Sequence, residues 1–406
     1  MTIRPADAHF AGRAILTLAL VVCGTRQATS ADQTLSPRIE IGGAYDSNLR
    51  LVAAPLDDKV TGGYVDALAG WQVRTPRTTF NLTPRIHATR FSGNGESGTT
   101  NWYLSADLQH LLRSGQLGLV ADVSKQEVLS AEILNANGGG GLGAPGTGTA
   151  GLAFRNDRAL FADVTPSGRF ALGPRADLQI DTRFVRVNYT QSVHIAQTDY
   201  SDARAAVGLS YKAGPRLRLV VDATADRYTP AAGNADANTY GANVQFWHEQ
   251  SALSRAFLRI GGVRSQFSGQ QHAASKTSVI GGVGAQRDFA RGQLLAQANR
   301  TTDGSSIGQL TLRSEINLSL NRKVSERTTL SMSAAGVWIE PIAGGPAEVT
   351  KRHYLVASLG TAWRVRRSFS MIGRYAYSSI HYQNLATTPD ANSIYLGVAF
   401  EPKRRD

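Results

Sequence analysis

At 406 residues the chain is long enough for two or three soluble domains, yet only 18% of it is charged, against roughly 25% in typical soluble domains. With 41 glycines, 14 prolines and many Ser, Thr, Asn and Gln, it suits numerous short strands and turns and argues against long helices. A single cysteine excludes a disulfide framework, and a net charge of +12 points towards anionic partners.

Residues 1–31 read as a secretory leader. Arg4 and Arg13 flank its start, Ala14 to Cys23 form an apolar core, and Ala28-Thr29-Ser30-Ala31 offers a small-residue cleavage site. That core is ten residues long, whereas a membrane-spanning helix needs about 20. Cys23 is a poor lipidation site, because Val22 stands where a small residue is required. The leader carries Arg4, Arg13 and Arg26 against Asp7, so its removal takes +2 from the total and leaves +10. Export makes nucleic acid an unsuitable partner. Lipopolysaccharide, phospholipid headgroups and acidic polysaccharide become the natural ones.

From residue 32 onward the dominant signal is alternation of apolar and polar side chains, the period of a strand. Phe80, Leu82 and Ile86 take one face, against Asn81, Thr83, Arg85 and His87. Leu217, Leu219, Val221 and Ala223 oppose Arg218, Asp222, Thr224 and Asp226. Val244 and Phe246 oppose Asn243 and Gln245. Leu310, Leu312, Ile316, Leu318 and Leu320 oppose Thr311, Arg313, Glu315, Asn317 and Ser319. A soluble sandwich also alternates, so the links between strands carry more weight.

Those links fall into two classes that take turns. Short ones lie at 75–77, 113–115, 172–174, 213–215, 252–254, 290–292, 323–325 and 366–368. Longer polar ones lie at 92–100, 128–153, 190–198, 229–238, 268–275, 340–351 and 383–391. Short turns at one end and long loops at the other characterise outer-membrane barrels. The alternating segments number about 18, with 16 as the alternative, because 159–170 (interrupted by Pro166) and 276–302 alternate weakly. The fold class is therefore all-β: one antiparallel up-and-down transmembrane barrel over 32–406, closed so that no sheet edge meets lipid.

Aromatics gather near strand ends at Tyr45, Tyr64, Trp71, Phe91, Trp102, Tyr103, Tyr228, Tyr240, Trp247, Trp338, Trp363 and Tyr377, as expected of interfacial girdles. The final segment, Tyr395-Leu396-Gly397-Val398-Ala399-Phe400, resembles the assembly signal of outer-membrane barrels, with Tyr395, Val398 and Phe400 as its marks. That signal normally closes the chain, whereas Glu401 to Asp406 follow it here.

A second resemblance opens the mature chain. Ile41-Gly42-Gly43-Ala44-Tyr45-Asp46-Ser47-Asn48-Leu49 is followed by Trp71-Gln72-Val73-Arg74-Thr75-Pro76-Arg77, Asn81-Leu82-Thr83-Pro84-Arg85 and Arg90-Phe91-Ser92. This resembles a poorly characterised family of proteobacterial outer-membrane β-barrel proteins, some found with exopolysaccharide or surface-sorting systems. The match covers about the first hundred residues. It implies location, fold and an association with surface polysaccharide, and no catalytic residue.

Motifs for chemistry are sparse. Gly138, Gly140 and Gly143 form a formal G-x-G-x-x-G, but it continues into Ala144-Pro145-Gly146 with no helix pattern, so it reads as an external loop. There is no P-loop, H-E-x-x-H, G-x-S-x-G or cysteine pair, so no catalytic residue, cofactor or metal is expected. His87 and His110 read as isolated wall positions.

Alternation sends many charges to the lumen. The acids are Glu40, Asp66, Asp107, Asp122, Asp177, Asp181, Asp202, Asp222, Asp226 and Glu315. The arginines are Arg38, Arg85, Arg183, Arg204, Arg218, Arg259, Arg313 and Arg374. Facing outward, an Arg at the bilayer midplane would cost about 2–4 kcal/mol. Surplus positive charge collects at the short turns and the tail, including Arg74, Arg113, Arg216, Arg322, Lys323, Arg327, Arg364, Arg366, Arg367, Lys403, Arg404 and Arg405, where it can meet anionic headgroups. The expectation is a Gram-negative outer-membrane pore or export conduit for hydrophilic solutes or surface polysaccharide, inserted by the barrel-assembly machinery. A non-conducting scaffold barrel is the alternative and a surface hydrolase the third reading.

Overall fold

The computed structural model describes residues 31–49, 51, 59–93, 97–127, 158–190, 197–231, 236–268, 274–305, 308–342, 351–382 and 388–402. Leader residues 1–30, the glycine-rich stretch 138–151 and the basic tail at 403–406 lie outside them.

The strands run in chain order. The first six are β1 (Asp32–Asp46), β2 (Val60–Arg74), β3 (Thr78–Gly93), β4 (Ser97–Leu112), β5 (Gly115–Glu127) and β6 (Arg158–Ala171). Next come β7 (Ala176–Thr190), β8 (Tyr200–Lys212), β9 (Leu217–Pro230), β10 (Asp236–Ser251), β11 (Ser254–Ser268) and β12 (Ala274–Phe289). The last are β13 (Gly292–Gly304), β14 (Leu310–Lys323), β15 (Thr328–Pro341), β16 (Arg352–Arg366), β17 (Phe369–Tyr382) and β18 (Asp390–Phe400). Each pairs antiparallel with its sequence neighbours, and β18 returns to β1 in the register Ile39↔Phe400 to Asp46↔Ser393. The sheet is a closed barrel of 18 strands, the larger of the two expected numbers.

All eight short turns fall where the sequence places them, two to four residues long and on one rim. The link after β3 is shorter than expected, because β3 and β4 extend to Gly93 and Ser97. The link between β13 and β14, from Gly304 to Leu310, is required by 18 strands but is not among the polar links named from the sequence.

Prolines within strands are accommodated on one side only. Pro166 keeps its place opposite Leu119 of β5, while the β6–β7 ladder passes from Val164↔Phe184 to Ser167↔Asp181. Pro84 does the same against β2, where the ladder passes from Leu68↔Arg85 to Trp71↔Leu82. Lacking an N–H, proline forfeits one ladder bond without shifting the register. This is why 159–170 is a regular strand despite its weak pattern.

Register separates two faces. The outer face carries large exposed apolar side chains such as Ile41, Val65, Val207, Val279 (69% exposed), Val283, Ile316 and Leu396 (64% exposed). The opposite parity carries buried charges such as Glu40, Asp66, Asp226, Arg313 and Glu315, which only the interior can hold. All the predicted lumenal acids and arginines stand on this inner parity by ladder pairing, for example Glu40↔Asp66, Asp122↔Asp163, Arg183↔Arg204 and Arg204↔Asp226.

The aromatic girdle is smaller than expected. Tyr45, Trp71, Trp102, Tyr240, Trp338, Trp363 and Tyr377 take the outer parity, but Tyr64, Phe91, Tyr103, Tyr228 and Trp247 take the inner one. Tyr64, Phe91 and Tyr228 are buried there, where their rings fill space beneath the long-loop rim. Tyr395 also points inward, edge-on to Tyr64, whereas Val398 and Phe400 face out.

Candidate lumen and constriction

The lumenal wall is organised by ion pairs that the register brings within reach. Arg204 of β8 lies opposite Asp226 of β9 and donates to its carboxylate at 2.9 Å. Arg85 donates to Asp66 through Nε at 3.0 Å and through Nη2, and His87 Nδ1 lies 3.0 Å from the same carboxylate. Arg183 pairs with Asp163 at 2.7 Å, and Arg313 with Glu315 at 3.2 Å. Glu40 collects three donors: Arg38 and Arg374 at 2.9 Å each and the Tyr64 hydroxyl at 2.8 Å. Arg374 reaches it across β18, so this contact bridges the seam where the chain's ends meet. Such pairing offsets the desolvation that an isolated interior charge would suffer.

Other predicted wall residues serve differently. Asp222 accepts from Asn243 at 2.5 Å and Gln245 at 3.1 Å. Arg218 lies over the Trp247 ring at 5.2 Å, and Arg259 donates to Asn299 Oδ1 at 3.4 Å. Asp107, Asp122 and Asp181 also face the lumen, opposite Asn81, Ser105 and Ala206.

Sequence reasoning missed Asp163, Asp303 and Arg352. The first two sit in the segments that alternate weakly or just beyond them. Arg352, 1% exposed and 5.5 Å from the Tyr354 ring, sits at the edge of an expected loop.

The main departure from a plain cylinder is the hairpin of β13 and β14. The β12–β13 ladder ends at Gly281↔Arg300, although β12 continues to Ala274 and β13 to Gly304. The β13–β14 ladder carries on to Gly304↔Leu310. Above Arg300 the hairpin therefore leaves β12 and turns into the lumen.

Its tip docks on strands far round the barrel, since β10, β11 and β12 lie between β9 and β13. The Tyr228 hydroxyl donates to the Ser305 carbonyl at 3.0 Å, and Arg204 donates to the Thr302 carbonyl at 3.3 Å. Gly304 permits the approach, because a Cβ there would stand 2.6 Å from the Tyr228 ring and 3.0 Å from that of Tyr200. Asp303 carries the hairpin's charge into the field of Arg183, Arg204 and Arg313.

Apolar packing holds the tip in place. Leu310 and Leu312 of the hairpin join Val185, Val187, Tyr200 and Tyr228 on one wall and Val337, Ile339, Tyr354 and Ile380 on the other in one buried cluster. Each such side chain contributes about 1.5–3 kcal/mol when fully buried. The long-loop half of the lumen is thus narrowed by an apolar plug above a charged belt.

The opposite rim is basic. Arg291, Lys323, Arg327, Arg364 and Arg367, with Glu326 and Glu401, line a cavity of about 460 Å³ at the short-turn end. Among the described residues, no group of three or more His, Cys, Asp or Glu could hold a metal ion.

No family model and no curated protein matches the chain, so no match supports the exopolysaccharide association implied by its first hundred residues. Among solved structures, it is similar to the copper transporter OprC at 11% identity and a TM-score of 0.43, covering 91% of this chain and 67% of that one. It is also similar to the outer membrane channel DcaP of Acinetobacter baumannii at 9% identity and a TM-score of 0.41, covering 93% and 99%. Pseudomonas aeruginosa OprD is similar at 9% identity and a TM-score of 0.39, covering 91% and 95%.

Proposed function

We propose that this protein is an outer-membrane channel for hydrophilic solutes, a transport protein rather than an enzyme, with the inward β13–β14 hairpin as its constriction. The observation that carries this reading is the docked hairpin above a belt of paired Asp and Arg side chains. A barrel of this size can enclose a water path, and a charged belt gives a passing solute both signs of charge to bind. In this reading the apolar outer face meets lipid, the short turns face the periplasm and the basic rim meets anionic headgroups. Lipopolysaccharide and the barrel-assembly machinery are then its partners, with Val398 and Phe400 as outward marks of the assembly signal.

The test is single-channel recording of refolded 32–406 in a planar bilayer. Discrete steps with reproducible ion selectivity support the channel. Block of those steps by added acidic polysaccharide would make surface polysaccharide, the cargo implied by the N-terminal resemblance, the preferred one. A second reading, the non-conducting scaffold, is favoured by the apolar cluster that spans the external lumen. A barrel that inserts and resists heat but never conducts would establish it and sink the channel.

A further inference from the structure

Register divides the cations of the short-turn rim between two faces. Lys323 pairs with Thr329 on the parity of Arg313, and Arg364 pairs with Ser370 on the parity of the buried Ala399. These four residues therefore line the lumenal side of the mouth, while Trp363 and Met371 beside them are exposed on the outer face. Arg322 and Arg366 take that outer face, opposite Leu330 and Phe369. Arg291, Arg327 and Arg367 join the cavity from three turns. Backbone bonds tie the turns to the neighbouring strands: the Lys323 N–H donates to the Arg291 carbonyl at 2.6 Å, and the Arg364 N–H to that of Arg327 at 2.7 Å.

This sector of the mouth is nearly one-signed. Among the described residues, its five cations, Arg291, Lys323, Arg327, Arg364 and Arg367, make no ion pair and no side-chain hydrogen bond. Of the two acids in the cavity, Glu401 lies 3.4 Å from Arg38, which leaves Glu326. Elsewhere the mouth mixes its signs, as where Glu249 of β10 stands opposite Arg255 of β11. Like charges gathered at one place repel, and a multiply charged anion relieves them together. A single carboxylate is satisfied by one guanidinium fork, whereas phosphoryl groups accept donors from several directions. Hydroxyls of Thr329, Ser368 and Ser370 add such donors to the lining. We propose that the lumenal mouth between β14 and β17 binds a soluble, multiply phosphorylated solute, held by Lys323, Arg364 and the three turn arginines. The site rests on the channel reading for its place on a solute path, and it deepens that reading by naming a substrate class. Lipid headgroups are left to Arg322 and Arg366 on the outer face.

The probe is inorganic tripolyphosphate, titrated by calorimetry into the refolded protein in micelles of a non-ionic detergent. Saturable binding that weakens as salt is raised is expected. Arg364→Gln and Lys323→Gln should each weaken it about tenfold, and Glu326→Gln should tighten it. The outward variants Arg322→Gln and Arg366→Gln should leave it unchanged. Resistance to heat unfolding on gels confirms that each variant keeps its barrel. Binding that never saturates, or that falls as far in the outward variants as in the inward ones, overturns the site. Displacement of the probe by equimolar dihexanoylphosphatidylglycerol makes the occupant a lipid headgroup and overturns the soluble solute. Conductance of the same preparation reports on the channel separately: steps without saturable binding overturn the site alone, and saturable binding without steps overturns the channel alone.

Discussion

Tyr228 is the clamp on which the constriction depends, so Tyr228→Ala is the most informative single substitution. The side chain is 1% exposed, its hydroxyl donates to Ser305 at 3.0 Å, and its ring fits against Gly304 and lies 5.4 Å from the Tyr200 ring. Truncating a buried aromatic to alanine costs about 3–5 kcal/mol. If about 2 kcal/mol of that is hairpin docking, the undocked population rises about thirtyfold. Tyr228→Phe removes only the hydrogen bond, about 1 kcal/mol, and should raise that population about fivefold. In single-channel records the two variants should show longer or more frequent large-conductance openings, graded in that order. Resistance to heat unfolding on gels controls for damage to the barrel itself. Unchanged openings in both variants, with heat resistance falling in step with the truncation, would refute the clamp and leave Tyr228 a packing residue.

Three further outcomes follow from the register. Val207→Arg puts a cation on the lipid face near mid-strand and should destabilise the folded barrel by about 2–4 kcal/mol in urea titrations, whereas Ala206→Arg, facing Asp181 across the ladder, should cost far less; equal losses would refute the assignment of faces. Asp226→Asn removes Arg204's partner in a 2.9 Å pair and adds one net positive charge to the lumen, so reversal potentials in a salt gradient should move towards anion selectivity; no movement would put the pair outside the conducting path. Phe400→Ala, on the outer face of the last strand, should slow membrane assembly in an in vitro insertion assay more than Tyr395→Ala, which faces Tyr64 inside; the reverse order would refute the assembly signal.

Much of this architecture is legible without coordinates because a strand in a barrel wall has two environments and a period of two. Leu217 to Asp226 alternates except at the buried Val220, the turn at Ala213 to Arg216 fixes the β8–β9 register, and Arg204 lands opposite Asp226 as a consequence. Contacts set by closure are not legible in this way. Arg374 and Glu40 are 334 residues apart, and only the return of β18 to β1 brings them together. The hairpin was hidden for a different reason. Leu310 and Leu312 have the parity and the hydrophobicity of lipid-facing residues, yet both are buried in the interior plug. Periodicity reports which side chains share a face; it does not report whether that face meets lipid or another wall. Tyr64, Phe91, Tyr103, Tyr228 and Trp247 misled similarly, because position near a strand end suggested a girdle while parity put them inside.

The constriction and the open seam have one geometrical cause. A hairpin in a closed barrel can enter the lumen only by abandoning a neighbour, and here the abandoned neighbour is β12 above Gly281. Docking on Tyr200 and Tyr228 therefore holds the pore narrow and the upper β12–β13 ladder unpaired together. The two features should respond to one substitution in opposite senses. Tyr228→Ala, by letting β13 return towards β12, should widen the conducting state and slow amide hydrogen exchange over Ala274 to Ile280 in the same preparation. If conductance rises while that exchange is unchanged, the seam is a fixed feature of the wall rather than the reverse side of the constriction.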